Sequence, residues 1–291
     1  MPSTYETFRT MAEAEIEKIL AGGERMPQHR LIEAMRYSLL AGGKRIRPVL
    51  VLAFCEATGK HPETALPAAV AIEMLHTYTL IHDDLPCMDN DELRRGKPTN
   101  HIVFGEFTAM LAGDALQAEA FGTILRSGLP TAVRAECAEA LANAAGIDGV
   151  CGGQQLDMEG NGKALSEQEL TEIQSRKTGS LLAAACLMGA IVGGATEKQK
   201  EAALIYGVAI GVAFQIRDDI LDEISTAEEL GKPIGSDRRT EKPTFMSLHG
   251  REECEKRIGI ITEYAKKTVS EAFPEPSFLM NFADELSIRR S

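Results

Sequence analysis

The sequence contains no tryptophan, and aromatic residues make up only 5% of its 291 positions. The core must therefore be built mainly from aliphatic side chains, and a 44% hydrophobic content supplies them. Bases are scarce too, with 31 Lys and Arg against 43 Asp and Glu, for a formal charge of −12. Nucleic-acid binders carry a basic excess or patch, so we expect no nucleic-acid partner, and no stable association with an anionic membrane. No apolar run reaches the roughly 20 residues that span a bilayer. The longest nearly apolar stretch, Leu181 to Ala195, has 15 residues and reads as a buried helix. The first 20 residues are charged and amphipathic, unlike a secretory signal. Six cysteines (Cys55, Cys87, Cys137, Cys151, Cys186 and Cys254) form no Cys-x-x-Cys pair and read as free thiols in a reducing cytoplasm. No Gly/Ser/Pro-rich linker and no short repeat divides the chain, so one domain over residues 1–291 is expected.

Strand signals are few, and the prevailing period is helical. Phe8, Met11, Ile16, Ile19 and Leu20 recur near 3.6 residues. Similar stretches begin near Pro27, Pro48, Pro67, Glu106, Thr131, Glu167, Glu197, Glu252 and Ser277. Ser166-x-x-Glu169 and Thr196-x-x-Gln199 have capping-box spacing, and Pro48 and Pro67 suit a first helical turn. Glycine pairs at 22–23, 42–43 and 193–194 read as stops or pivots. Val49 to Phe54 has strand composition but no partner strand, and it lies in a longer apolar stretch, so we read it as helix. The expected fold is all-α, a helical bundle whose most apolar helices lie centrally.

Two acidic clusters stand out. One contains Asp83, Asp84 and Asp89, and the other contains Asp218, Asp219 and Asp222. Each follows a strongly apolar helical stretch, where carboxylates are costly unless their charge is compensated. Asp218 and Asp222 are four apart and share a helix face. Asp83 and Asp89 are six apart, but Pro86 should end the helix and let Asp89 turn back toward Asp83. Carboxylates so grouped suit Mg²⁺, which keeps waters and takes further ligands from substrate phosphates. Bases punctuate the same regions: Lys44, Arg45 and Arg47; Arg94, Arg95 and Lys97; Lys177 within an otherwise apolar helix; then Lys232 and Lys242. Acids and bases interleaved around apolar helices point to a diphosphate site.

Three local patterns carry no such chemistry. His82-Asp83 has the form of a metal phosphohydrolase pair, but the second cluster lacks the further histidine ligands. Asp157-x-Glu159-x-Asn161-Gly162 begins like a calcium loop, yet Gln168 at the twelfth position supplies no bidentate carboxylate. The glycine pairs match no phosphate-loop spacing.

Taken together, Lys44-x-x-Arg47-Pro48, His76 through Met88-Asp89, Leu93 through Thr99, Gly153-Gln154-x-x-Asp157, Lys177-Thr178-Gly179 and Phe214-Gln215-x-Arg217-Asp218-Asp219-x-x-Asp222 resemble the trans-isoprenyl diphosphate synthases. The likeness runs from about Glu33 to the C-terminus, in the family's order. The two extra residues inside the first Asp motif look like those of bacterial farnesyl and plant-type geranylgeranyl diphosphate synthases. The resemblance implies a helical isoprenoid-synthase bundle with a central cavity, generally homodimeric. It implies about three Mg²⁺ ions on Asp83, Asp84, Asp89, Asp218, Asp219 and Asp222. Arg94, Lys177, Lys232 and Lys242 would bind the allylic diphosphate; Lys44, Arg47, His76 and Arg95 would bind isopentenyl diphosphate without metal. Thr178 and Gln215 would lie near the allylic cation, and His82 is read as structural.

Tyr78 is five residues before Asp83, about 7.5 Å along a helix. In the resembling enzymes an aromatic residue here goes with a C15 product, so Tyr78, beside the small Thr79, implies farnesyl diphosphate, with geranylgeranyl diphosphate second. Glu92 stands where the family usually has Asp, and Thr244-Phe245-Met246 lacks an expected proline. Two other readings fit less well: a non-catalytic subunit, which often loses an Asp motif, and a terpene cyclase, whose second motif differs from Asp218-Asp219-x-x-Asp222.

Overall fold

Helical periodicity becomes helix along nearly all of the described chain. The computed structural model describes residues 3–19, 21, 26–224 and 244–289. Its elements run α1 (Thr4–Ile19), α2 (His29–Leu39), α3 (Ile46–Ala57), a 3₁₀ turn (Pro62–Ala65), α4 (Leu66–Asp83), β1 (Leu93–Arg94), β2 (Lys97–Pro98) and α5 (Asn100–Phe104). Then follow α6 (Glu106–Leu125), α7 (Thr131–Ala145), α8 (Val150–Gly160), α9 (Glu167–Gln174), a π-helical turn (Ser175–Gly179), α10 (Ser180–Val192), α11 (Glu197–Ile224), α12 (Phe245–Ala272) and α13 (Ser277–Ile288).

The start signals act as expected. Pro48 and Pro67 lie in the first turns of α3 and α4, where a missing N–H costs no helical bond. Ser166 and Glu169 close a reciprocal capping box on α9. Thr196 and Gln199 do the same on α11, at 2.9 and 3.3 Å. Gly194, at φ +75°, lets the chain leave α10 in a left-handed turn. The ambiguous run Val49–Phe54 lies inside α3.

Helices α3, α4 and α10 are buried on nearly every face and form the centre. Against α10 pack α3, α4, α7 and α11. The contact with α3 is backbone to backbone: a Cβ at Gly189 would lie 2.2 Å from the Val51 carbonyl oxygen. Small residues thus replace rings as the means of close packing. The stretch Pro62–Asp83 is long and apolar enough to cross a membrane by length and composition, yet most of it is buried inside the protein. A smaller core of Leu170, Ile216, Ile220, Phe245 and Ile258 joins α9, α11 and α12. All six cysteines are free.

Three features depart from the sequence expectation. Lys177-Thr178-Gly179 is not inside a regular helix but in the π turn that joins α9 to α10. Helix α12 begins at Phe245 and is broken at Gly250, φ +72°, ahead of the start expected near Glu252. Its first turn is held by Thr244, whose hydroxyl accepts the Ser247 N–H at 3.1 Å. Finally, β1 and β2 form a two-residue antiparallel hairpin, with Arg94 opposite Lys97. Arg95 and Gly96, both at positive φ, make its tight turn.

Candidate active site

Helix α4 ends at Asp83, and the chain then folds back. Asp84 N–H still reaches Leu80 O at 3.2 Å, whereas Asp89 N–H donates to Asp83 O at 2.9 Å. The return of Asp89 expected from Pro86 is thus present in the backbone. A helix C-terminus carries partial negative charge, so carboxylates placed there repel it unless cations intervene. Burial pushes the Asp83 carboxyl up to about 6; Asp89 and Asp84 add to the rise, while Lys177 and Arg94 oppose it. Asp84 is only 3% exposed, and its two oxygens accept from Arg94 Nε at 2.7 and 2.9 Å.

The second cluster also sits near a helix C-terminus. Helix α11 continues through Asp218, Asp219 and Asp222 to Ile224, leaving Asp218 and Asp222 one turn apart. Asp218 pairs with Arg289, whose guanidinium lies 3.7 Å from the Phe214 ring centroid. Asp219 is buried and accepts from Gln215 Nε2 at 3.2 Å and from the Phe245 N–H at 2.8 Å. It therefore holds the start of α12 to α11. Sequence reasoning missed Arg289, because no local pattern links it to a residue 71 positions away.

The π turn stands between the clusters. Lys177 Nζ donates to Asp157 on α8 at 2.8 Å, and Thr178 Oγ1 donates to Gln215 on α11 at 3.4 Å. Burial pulls the Lys177 pKa down, but Asp157, Asp83 and Asp89 outweigh it and hold the amine above its ordinary value. Helix α8 comes close because Gly153 has no side chain; a Cβ there would meet the Lys177 nitrogen at 2.4 Å. A π turn at such a place widens the helix by one residue and re-aims its side chains.

A group of bases surrounds His76. Burial, then Arg47, Arg95, Arg94 and Arg45, push this imidazole well below the usual histidine range, so the ring is neutral. Arg45 is committed to Glu73 at 2.6 Å, and both are buried. Among the described residues, neither Arg47 nor Arg95 makes an ion pair, and Arg47 Nε is buried without a partner. Burial lowers the Arg47 pKa to about 10. Arg95 lies flat on Gly43, where a Cβ would be 2.6 Å from its Cζ, and donates to the Gly42 carbonyl. That contact brings the loop of Lys44 beside the hairpin. Arg289 and Asp218 are among the electrostatic neighbours of Lys44, which places it toward the second acidic cluster.

Tyr78 is 5% exposed. Its ring meets that of His82 edge-on, 5.4 Å between centroids, and its hydroxyl lies 3.4 Å from Cys151 Sγ. The adjacent Thr79 is buried and donates to His76 O at 2.8 Å. His82 Nε2 lies 3.0 Å from Met110 O, against the bare Gly113 of α6. Lys232 and Lys242 lie outside the described residues.

No three Asp, Glu, His or Cys side chains among the described residues already converge as a metal-coordinating group. Asp84 is instead paired with Arg94, and Asp218 with Arg289. The donors nonetheless fit a hard divalent cation: they are all oxygens, they crowd two helix C-termini, and Asp83 makes no ion pair within this set.

A family model described as polyprenyl synthetase matches residues 28–273. The chain belongs to the polyprenyl synthetase family. It is 48% identical to the farnesyl diphosphate synthase of Geobacillus stearothermophilus, over 84% of this chain and 83% of that one. It is 50% identical to the geranylgeranyl diphosphate synthase of Cyanophora paradoxa, over 82% and 81% of the two chains. The apo crystal structure of an FPP/GFPP synthase from Zymomonas mobilis is similar throughout, with a TM-score of 0.86, 37% identity and coverage of 98% and 100%. Family membership accounts for the order of the acidic and basic motifs along the chain.

Proposed function

We propose that this polyprenyl synthetase joins isopentenyl diphosphate head-to-tail to dimethylallyl and then geranyl diphosphate, giving (E,E)-farnesyl diphosphate and diphosphate. One observation carries the reading: carboxylate clusters crowd two helix C-termini beside the Lys177 turn, while arginines surround His76, and of these Arg45 is paired with Glu73 and Arg94 with Asp84, leaving Arg47 and Arg95 without an ion pair among the described residues. The first arrangement suits a metal-bound diphosphate and the second a metal-free one.

Asp83, Asp84 and Asp89, with Asp218, Asp219 and Asp222, would hold about three Mg²⁺ ions, a count taken from the family resemblance; when bound, they neutralise charge on the allylic diphosphate. Arg94 and Lys177, joined by Lys232 and Lys242, bind the same diphosphate oxygens and stabilise the charge that grows as the C–O bond breaks. The bond's electron pair leaves with the diphosphate. Thr178 and Gln215 set their dipoles beside the resulting allylic cation. Lys44, Arg47, His76 and Arg95 orient isopentenyl diphosphate so that its double bond attacks that cation and forms the new C–C bond. The proton then lost passes to the released diphosphate, so no protein nucleophile is needed. The neutral His76 serves as a hydrogen-bond donor rather than a charge.

Tyr78 closes the pocket at C15, with Thr79 beside it. The 50% identity to a geranylgeranyl synthase favours C20 as the second reading. We take the whole chain as one domain and the protein as a cytoplasmic homodimer. The free thiols support the compartment. Exposed Ile102, Val103, Phe107, Met110 and Leu111 on α5 and α6 support an apolar self-contact. The test is incubation of purified protein with isopentenyl diphosphate and each allylic diphosphate, followed by chain-length analysis. The C15 product is expected with Mg²⁺; the absence of any condensation product would overturn the reading.

A further inference from the structure

The floor assigned to Tyr78 requires its ring to stay in place against a growing hydrocarbon chain. Two contacts fix it. One is the edge-on His82 ring at 5.4 Å, on Tyr78's own helix. The other comes from a different element: Cys151, in the first turn of α8, sets its sulfur 3.4 Å from the Tyr78 hydroxyl, across 73 residues of sequence. The hydroxyl tip of the ring is thus tied to α8.

Helix α8 is an unyielding anchor. A Cβ at Gly152 would lie 1.9 Å from the Ile147 carbonyl oxygen, and one at Gly153 would lie 2.4 Å from the Lys177 nitrogen. The residues following Cys151 therefore press backbone against backbone and pin the main chain that carries the thiol, whose side chain is itself exposed. Asp157, one turn beyond Gly153, holds the Lys177 amine at 2.8 Å. One short helix thus touches both the proposed chemistry and the proposed floor.

We infer that Cys151 is a positioning residue for product length, bracing the Tyr78 ring through its hydroxyl so that elongation stops at C15. The inference rests on Tyr78 being the floor. The ring keeps its bulk when the brace is lost, but it can rotate aside. A hydrogen bond to sulfur lies at the weak end of the range and corresponds to roughly a two- to threefold change in an equilibrium. The C20 share of product is expected to rise by about that factor in Cys151→Ala.

The experiment compares C20:C15 ratios of the full-length enzyme and four variants under identical substrate ratios. Cys151→Ala and Tyr78→Phe should raise the ratio to similar extents, because each removes one side of the same contact. Cys151→Ser keeps a polar partner and should restore the parent ratio; a merely space-filling cysteine would not distinguish Ser from Ala. Tyr78→Ala, which removes the ring itself, should lengthen the product most. If Tyr78→Ala lengthens the product while Cys151→Ala and Tyr78→Phe match the parent, the brace is wrong and the floor stands. If Tyr78→Ala leaves C15 unchanged, the floor assignment falls and the brace falls with it.

Discussion

Arg94 meets Asp84 through three contacts: Nε at 2.7 and 2.9 Å from the two carboxylate oxygens, and Nη2 at 2.6 Å from Oδ1. The planar guanidinium fixes the pair's geometry in a way that a lysine would not. Burial works to lower the Arg94 pKa, yet Asp84 overcomes it and holds the pKa above its ordinary value. Arg94 therefore stands permanently charged just beyond the end of α4, where the proposed function puts a diphosphate oxygen.

Arg94→Lys should accordingly lower kcat by about 10²-fold, the scale on which one preorganised donor to a developing anion acts. Steady-state kinetics measure this, with circular dichroism to show that the helices persist. A change below about threefold would show that Arg94 serves Asp84 alone.

On the proposed function, Arg289 would compete with metal for Asp218, its ion-pair partner. The ion pair is partly exposed and therefore of modest strength. Arg289→Ala should tighten Mg²⁺ binding to the substrate-free protein by roughly two- to fivefold. Titration calorimetry reads the affinity directly. Weaker binding in the variant would mean that Arg289 orders the clamp instead of filling it.

The Arg45–Glu73 pair tests stability rather than turnover. Both side chains are buried, and Arg45 also donates to Leu39 O at 2.7 Å. Glu73→Gln leaves a buried guanidinium without its counter-charge and should cost about 3–5 kcal/mol. Urea unfolding measures the loss, and a cost below about 1 kcal/mol would show that Glu13, 3.6 Å from Arg45 Nε, compensates.

His76 gives a pH dependence of defined sign. Its pKa is depressed by burial and by Arg47, Arg95, Arg94 and Arg45. Below the ordinary value of 6.5, the unfolded chain takes up a proton that the folded ring refuses. The substrate-free protein therefore keeps this contribution above pH 6.5 and loses it as the pH falls. His76→Gln should flatten that part of the stability profile, and NMR should find the wild-type ring neutral at pH 6.5. A ring half-protonated at that pH would contradict the assignment.

The parts of this molecule written locally were legible without coordinates. The capping boxes at Ser166 and Thr196, the first-turn prolines and the apolar runs of α3, α4 and α10 all depend on neighbours within a turn or two. So does the reversal at Pro86 that returns Asp89 to Asp83. What escaped the sequence depends on distant partners. The first turn of α12 is anchored by Asp219 of α11, so no period announces it. The Arg95-Gly96 hairpin has two-residue strands, too short for alternation. The π turn at Lys177 packs against α8 at Gly153, and the pairings Arg289–Asp218 and Tyr78–Cys151 cross more than 70 residues.

On the proposed function, the two carboxylate clusters act together as one metal clamp for an allylic diphosphate. The most direct measurement is condensation of isopentenyl with geranyl diphosphate by wild type, Asp83→Ala and Asp218→Ala, with Mg²⁺ and with EDTA, at matched helical content. The clamp predicts farnesyl diphosphate only from wild type with Mg²⁺, and loss of about 10³-fold or more in either variant. Undiminished product in EDTA, or from either variant, would contradict it.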